Sequence, residues 1–352
     1  MQTGTGKTAL ITGASSGIGQ ELAKLFAQDG YNLILVGRSE DKLDRLSEVF
    51  KANYGTQYIT IINKDLSKED IAIELYDEVK AKGIQVDVLV NDAGVSTYGK
   101  FATETNWERE RELVHLNILT TTLMTKLFLK DMVERNDGKI LQLASLVAIT
   151  PFPLMAVYAA TKAYIWNLTQ SLNNELKGTN VTITALMPNA TDTNFFREAG
   201  APELIVEDMT DKPDMVARDG YRALMRGEAK VVPGGFVNKA QEVMAYLTPQ
   251  EGLAAMMRKL LTPKYDEDGE EETSPWAIGL GIAVAAVAGY ALVRFLNHVS
   301  PEDKARFRAQ VADFGDSIAN STTNALSSVA HSVAGEYLGL KADVEGAEEE
   351  LA

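Results

Sequence analysis

The chain has 352 residues, with 34 Lys and Arg against 49 Asp and Glu, and a formal net charge of −15. That balance excludes the basic face with which a nucleic-acid binder collects phosphates. Cysteine is absent and the three histidines, His115, His298 and His331, are scattered, so disulfides, thiolate catalysis, cysteine metal sites and a zinc enzyme are excluded.

In chain order, an apolar run from Thr8 to Ile11 leads into a helical pattern from about Ile18, and this alternation then repeats. Further strands are predicted at Asn32 to Val36, Tyr58 to Ile62, Val86 to Val90, Lys139 to Leu143, Val181 to Leu186 and Lys230 to Val232. Further helices are predicted from near Asp41, Lys68, Trp107, Tyr158 and Asp214, each with apolar residues three to four apart. Seven strands alternating with six helices predict an α/β fold over residues 1–263: a Rossmann-type, doubly wound parallel seven-stranded sheet. No basic segment leads into an apolar run at the N-terminus, so no secretory signal is expected and the catalytic domain is placed in the cytosol.

The composition changes after Pro263. Residues 264–352 carry about two thirds of the acidic excess, beginning with an acidic linker at 264–275. Trp276 to Val293 then contains no charged residue and, at about 1.5 Å per residue, extends about 27 Å as a helix. Residues 276–296 therefore read as a single transmembrane helix, with a buried Ala/Gly-rich helix of an oligomer as the competing reading. Residues 297–352 read as an amphipathic helical or partly disordered tail, so an α-helical C-terminal extension is expected.

Within the first domain, Thr12-Gly13-Ala14-Ser15-Ser16-Gly17-Ile18-Gly19 follows a strand and opens a helix, the context of a dinucleotide-binding turn. Glycines there admit a tight turn and let a pyrophosphate reach backbone N–H groups at the positive helix end. Gly6-Lys7-Thr8 resembles the end of a P-loop, but the earlier glycine that motif needs would fall at Met1, so it is set aside. At the end of the second strand stand Arg38 and Ser39, where an acid would repel a 2′-phosphate. A guanidinium with a hydroxyl beside it binds one instead, so NADP(H) is the expected cofactor.

Ser145, Tyr158 and Lys162 carry the expected chemistry. Tyr158 and Lys162 are four apart and share one helix face, where the ammonium is expected to lower the phenol's pKa towards the working range. Ser145 follows the fifth strand, where its hydroxyl polarises the same substrate oxygen.

With these motifs the sequence resembles the short-chain dehydrogenase/reductase family over about residues 5–263. The matching segments are Thr12 to Gly19, Asp65-Leu66, Asn91-Asp92-Ala93-Gly94, Asn117, Ser145, Tyr158 with Lys162, and Pro188 through Thr193. The resemblance implies that Tyr158 is the general acid/base, Lys162 tunes it and holds the nicotinamide ribose, Ser145 orients the carbonyl and Asn117 supports a relay water. It also implies cofactor contacts from Gly13, Ser15, Ser16, Gly17, Ile18, Gly19, Arg38, Ser39, Asp65, Leu66, Asn91, Ala93, Gly94, Pro188 and Thr193, and a homo-oligomer formed through the helices near Asn117 and Tyr158. Two positions depart from the family pattern. Asp92 stands where the family has the second Asn of NNAG, and Asn189 stands where it has the Gly of Pro-Gly.

Leu146, Val147, Pro151, Phe152, Pro153, Leu154 and Met155 lie between Ser145 and Tyr158, and Phe195-Phe196 open the segment resembling a substrate lid. The expected partner is a hydrophobic carbonyl or alcohol, worked on by an NADP(H)-dependent oxidoreductase beside a membrane. The competing reading is a membrane-tethered NADPH-binding scaffold or redox sensor without significant turnover.

Overall fold

A computed structural model describes residues 4–265. The seven strands are β1 (Thr8–Thr12), β2 (Asn32–Gly37), β3 (Ile59–Asn63), β4 (Val88–Asn91), β5 (Gly138–Leu143), β6 (Val181–Leu186) and β7 (Lys230–Val231). They form one sheet in the order β3-β2-β1-β4-β5-β6-β7, with every neighbouring pair parallel. The order reverses between β1 and β4, and a crevice opens there beyond the carboxyl ends of the strands.

The period of two along the strands explains why helices cover both faces. On β1, Ala9 and Ile11 join the core on one side and Leu10 the core on the other, and Leu33 and Leu35 oppose Ile34 and Val36 on β2. The first face packs against α1 (Gly17–Gln28), α2 (Glu40–Tyr54) and α8 (Pro213–Arg226) through Leu22, Phe26, Leu43 and Val216. The second packs against α3 (Ile71–Ala81) and α5 (Thr121–Glu134) through Leu75, Phe128 and Met132. Each such fully buried side chain contributes about 1.5–3 kcal/mol of transfer free energy. The sheet is thereby fixed, and its carboxyl edge becomes a rigid platform for the site.

The predicted strands are all present. The third helix begins at Ile71 rather than near Lys68, because Asp65 Oδ1 accepts from Ser67 N and Oγ in a turn that delays it. The helix predicted from Trp107 is α4 (Trp107–Val114), capped by the Asn106 side chain, and it runs on into α5 through a π-helical stretch at His115–Thr120. The helix predicted from Tyr158 is α6, Ala156–Glu175. A short helix α7 (Phe195–Glu198) lies between β6 and α8. Like α7, the helices α9 (Phe236–Leu247) and α10 (Gln250–Leu260), separated by Pro249, were not predicted.

Lys264 N donates to Glu203 O, and Leu204 bridges Pro263, so the end of the described chain is held against the segment before the 3-10 turn at Ile205–Met209. The expected transmembrane helix at 276–296 and tail at 297–352, with all of the linker beyond Tyr265, lie outside the described residues. Among the described residues no helix is long and apolar enough to cross a membrane.

Candidate active site

Each strand ends where a functional side chain is wanted. Beyond β1, Gly13 and Gly17 take positive φ, 70° and 58°, and turn the chain into α1. A Cβ at Gly19 would lie 2.5 Å from Asp92 Oδ2 and 2.6 Å from Gly13 O, so the turn closes only around glycine. Ser16, the N-cap residue, makes no side-chain cap, and the first turn of α1 has no acid, so the helix offers its positive end uncovered. Thr12 Oγ1 donates to Val90 O and accepts from the N–H groups of Asp92 and Ala93, which seats the β4 loop beside this turn.

A continuous cavity of about 870 Å³ starts at the turn and ends under α9 and α10. Of the expected cofactor residues, Gly13, Ser15, Ser16, Gly17, Ile18, Arg38, Ser39, Asp65, Leu66, Ala93, Gly94, Pro188 and Thr193 line it. Gly19 and Asn91 do not. Gly19 shapes the turn from behind, while Asn91 Nδ2 donates to Thr125 Oγ1 and Gln142 Oε1, tying β4 to α5 and β5. Lys42, which the sequence reading missed, lines the cavity with Arg38, and among the described residues neither forms an ion pair within 4 Å. Burial raises the Asp65 carboxyl, but the Ser67 hydrogen bonds and the charges of Lys68 and Arg38 outweigh it and leave Asp65 below the usual carboxylate range.

Ser145, Tyr158 and Lys162 come together in the cavity wall, and all three are buried. Ser145 Oγ donates to Pro188 O at 3.2 Å and accepts from Val147 N. Lys162 Nζ donates to Leu143 O at 2.7 Å and stands 5.6 Å from the Tyr158 ring centroid. Asn117 lies on the π-helical stretch behind them, outside the cavity wall. Its side chain clasps Val95 N and O and donates to Thr161 Oγ1, fixing α6 against the β4 loop.

The electrostatics correct one expectation. The Tyr158 phenol lies above its ordinary pKa, because burial raises it, the Ser145 hydroxyl opposes that rise and Asp92 adds to it. Lys162 is itself pulled down to about 8 by burial, with Asp92 acting the other way. In this environment desolvation outweighs the expected influence of the ammonium. Tyr158 is held as a neutral phenol, a proton donor.

Asp92, which departs from the family pattern, has an environment that the sequence did not show. Its Oδ1 is buried without a hydrogen-bond partner, and burial pushes the carboxyl up to about 7 against the charge of Lys162 and a hydrogen bond from Gly19 N. Because an unfolded Asp titrates near 4, the folded chain keeps its proton longer, and stability falls as pH rises from about 4 to about 7. Asp92→Asn is therefore expected to raise stability by about 1–3 kcal/mol near pH 8 and to match the parent near pH 4. Urea unfolding across that range checks this; a gap independent of pH would contradict it.

The substrate side of the cavity is apolar. Leu146, Val147, Phe152, Phe195 and Phe196 line it as expected, whereas Pro151, Pro153, Leu154 and Met155 do not reach it. The Phe195 ring lies 5.0 Å from that of Tyr158. Leu253, Met256, Met257 and Leu260 of α10 complete the wall. Their spacing of three, one and three was the signal available for this helix.

A parallel sheet with a glycine turn and a buried Ser-Tyr-Lys group at its carboxyl edge defines a dinucleotide-binding oxidoreductase fold. The family profile for short chain dehydrogenases matches residues 7–204, more than half of the sequence, and the chain belongs to that family. It is 34% identical over 212 residues to a short chain dehydrogenase of Pseudocercospora fijiensis, covering 59% of this chain and 66% of that one. It is 33% identical over 190 residues to the very-long-chain 3-oxoacyl-CoA reductase of Homo sapiens, covering 53% and 59% respectively. These matches span less than two thirds of either relative. Among solved structures, a short-chain dehydrogenase from Sphingobium yanoikuyae in complex with NADPH superposes with a TM-score of 0.60 at 27% identity, over 70% of this chain and 94% of that one. The fold is one that binds a nicotinamide cofactor.

Proposed function

We propose that the protein is an NADP(H)-dependent reductase that moves hydride between nicotinamide C4 and the carbonyl or hydroxyl carbon of a hydrophobic ketone, aldehyde or alcohol. The observation that carries this reading is the single cavity shared by the glycine turn, the buried Ser145, Tyr158 and Lys162, and the aromatic and methionine wall. The uncovered N-terminus of α1 suits a pyrophosphate, while Arg38, Ser39 and Lys42 suit a 2′-phosphate. When bound, the nicotinamide supplies hydride in one direction and accepts it in the other.

The side chains supply the rest. Ser145 Oγ, with its O–H turned from Pro188 O to the carbonyl oxygen, donates to that oxygen and polarises it. Tyr158, a neutral phenol, gives its proton to that oxygen as negative charge develops there. Lys162, held by Leu143 O, stabilises the phenolate left behind. Asn117 acts through Val95 and Thr161 to keep α6 and the β4 loop in register.

A phenol held neutral favours reduction. Reduction is expected to be level in rate up to about pH 7 and to decline through about pH 8 as Lys162 loses its proton, whereas alcohol oxidation, which needs the phenolate, climbs with pH over the same range. Initial rates in both directions test this, and parallel profiles would contradict it. NADPH consumption with long-chain ketones and aldehydes tests the activity itself. Silence with NADPH still bound would favour the scaffold reading.

The uncharged run at 276–293 supports a tether that keeps the domain beside the bilayer in which such substrates dissolve. The full chain is expected to stay with membranes through alkaline carbonate extraction. Its release into the supernatant would contradict the tether.

A further inference from the structure

Asn189 stands where the family pattern has glycine, and its side chain is engaged rather than idle. Nδ2 donates to Gln241 Oε1 at 2.9 Å and to Asn238 Oδ1 at 3.3 Å, both on α9. The amide orientations follow from their neighbours. Asn238 is buried, and its Nδ2 donates to Asp211 Oδ2 at 2.6 Å and to Pro233 O at 2.9 Å, so Oδ1 must face Asn189. Asp211 N in turn donates to Ala190 O, and Asp192 N donates to Asp211 O. A closed polar ring thus joins the loop after β6, the segment before α8, and α9. Gly234, with φ +90, leaves room for it, since a Cβ there would lie 2.4 Å from Asn238 Nδ2.

The two sides of this ring have different tasks. The loop from Pro188 to Thr193 lines the cavity on the turn side and leads into Phe195, which packs on Tyr158. Gln241 and Ala245 of α9 and Leu253, Met256, Met257 and Leu260 of α10 also line the cavity. Glycine at 189 would leave both acceptors unanswered.

We propose that Asn189 is a positioning residue that latches the α9–α10 wall of the substrate cavity to the loop after β6, so that the apolar pocket closes in register with Ser145 and Tyr158. The latch itself stands on the hydrogen bonds. Its effect on substrate rests on the reductase reading.

Hydrogen exchange followed by mass spectrometry on the full chain tests the two separately. In Asn189→Gly, exchange of amides in 236–260 is expected to rise about tenfold, with the amides of Thr8–Thr12 unchanged. Asn189→Asp is expected to do more, because it turns a carboxylate towards Asn238 Oδ1 and Gln241 Oε1. Gln241→Leu, which removes an acceptor, is expected to resemble Asn189→Gly, and Gln241→Glu, which keeps one, to resemble the parent. With decanal and NADPH, Asn189→Gly is expected to raise KM for decanal about tenfold, while kcat and the Kd for NADPH change less than threefold. Unchanged exchange in 236–260, or a rise spread evenly through Thr8–Thr12, overturns the latch. A localised rise with no turnover of any carbonyl by the parent chain leaves the latch standing and removes the reductase reading.

Discussion

Tyr158→Phe is expected to lower kcat for carbonyl reduction by about 10²–10⁴-fold, the range that a positioned proton donor supplies. The substitution removes one oxygen and keeps the ring, which packs 5.0 Å from Phe195 and 5.6 Å from Lys162 Nζ, so the fold and the cavity wall stay as they are. Ser145 is left as the nearby hydroxyl. Its hydroxyl already polarises the carbonyl oxygen, and an aliphatic hydroxyl is too weak an acid to replace a phenol as proton donor. The Kd for NADPH should therefore change little, and the melting temperature should remain within a few degrees. A variant that retains a tenth or more of parental kcat would show that the proton comes from elsewhere.

The second large effect concerns the choice of cofactor. Arg38→Asp is expected to weaken NADPH binding by about 10²–10³-fold and to leave NADH binding within a few fold, reversing the preference. A fork of charge-assisted hydrogen bonds to a phosphate is lost, and a carboxylate replaces it. Arg38 and Lys42 line the same end of the cavity and neither is committed to an ion pair within 4 Å among the described residues, so both charges are available to a ligand. Lys42→Ala is expected to give a smaller shift in the same direction, because an ammonium acts as a point charge without the planar fork. Titration of tryptophan fluorescence with NADPH and NADH measures both. Equal loss for the two dinucleotides would place Arg38 at a group they share.

These expectations rest on parts of the molecule that differed in how legible they were. The sheet was open to reading because each central strand is apolar on both faces, as in Ala9-Leu10-Ile11, and each is followed by a helix with a clear stripe. The glycine turn and the Ser145, Tyr158 and Lys162 group were legible because their chemistry depends on residue type at fixed spacing. The pKa of Tyr158 was not, since sequence shows the ammonium four residues away but not the burial that outweighs it. The side-chain role of Asn91 was hidden for a similar reason: a polar residue at the end of a strand does not show that Thr125 and Gln142 face it.

Long-range partners explain the remaining misses. Lys42 reaches the cavity only because α2 starts directly beneath Arg38, and Asn189 meets Gln241 across 52 positions of sequence. The π-helical stretch holding Asn117 keeps the residue types of an ordinary helix, so nothing in the local pattern marks it. α9 and α10 follow the last strand and carry no site motif, yet Leu253, Met256, Met257 and Leu260 of α10 line the apolar wall. For Asn189 and α10 the missing information is the identity of a neighbour distant in sequence; for Lys42 and Asn117 it is the local path of the backbone.

The central claim is that hydride passes directly between the cofactor and a carbonyl carbon under the control of Tyr158. The most direct measurement supplies NADPH deuterated at nicotinamide C4, one face at a time, with a long-chain ketone, and examines the alcohol by mass spectrometry. Reduction as described transfers deuterium from one face only, onto the carbinol carbon, and Tyr158→Phe suppresses the transfer. Alcohol formed without deuterium from either face, or tight NADPH binding with no alcohol at all, would contradict it.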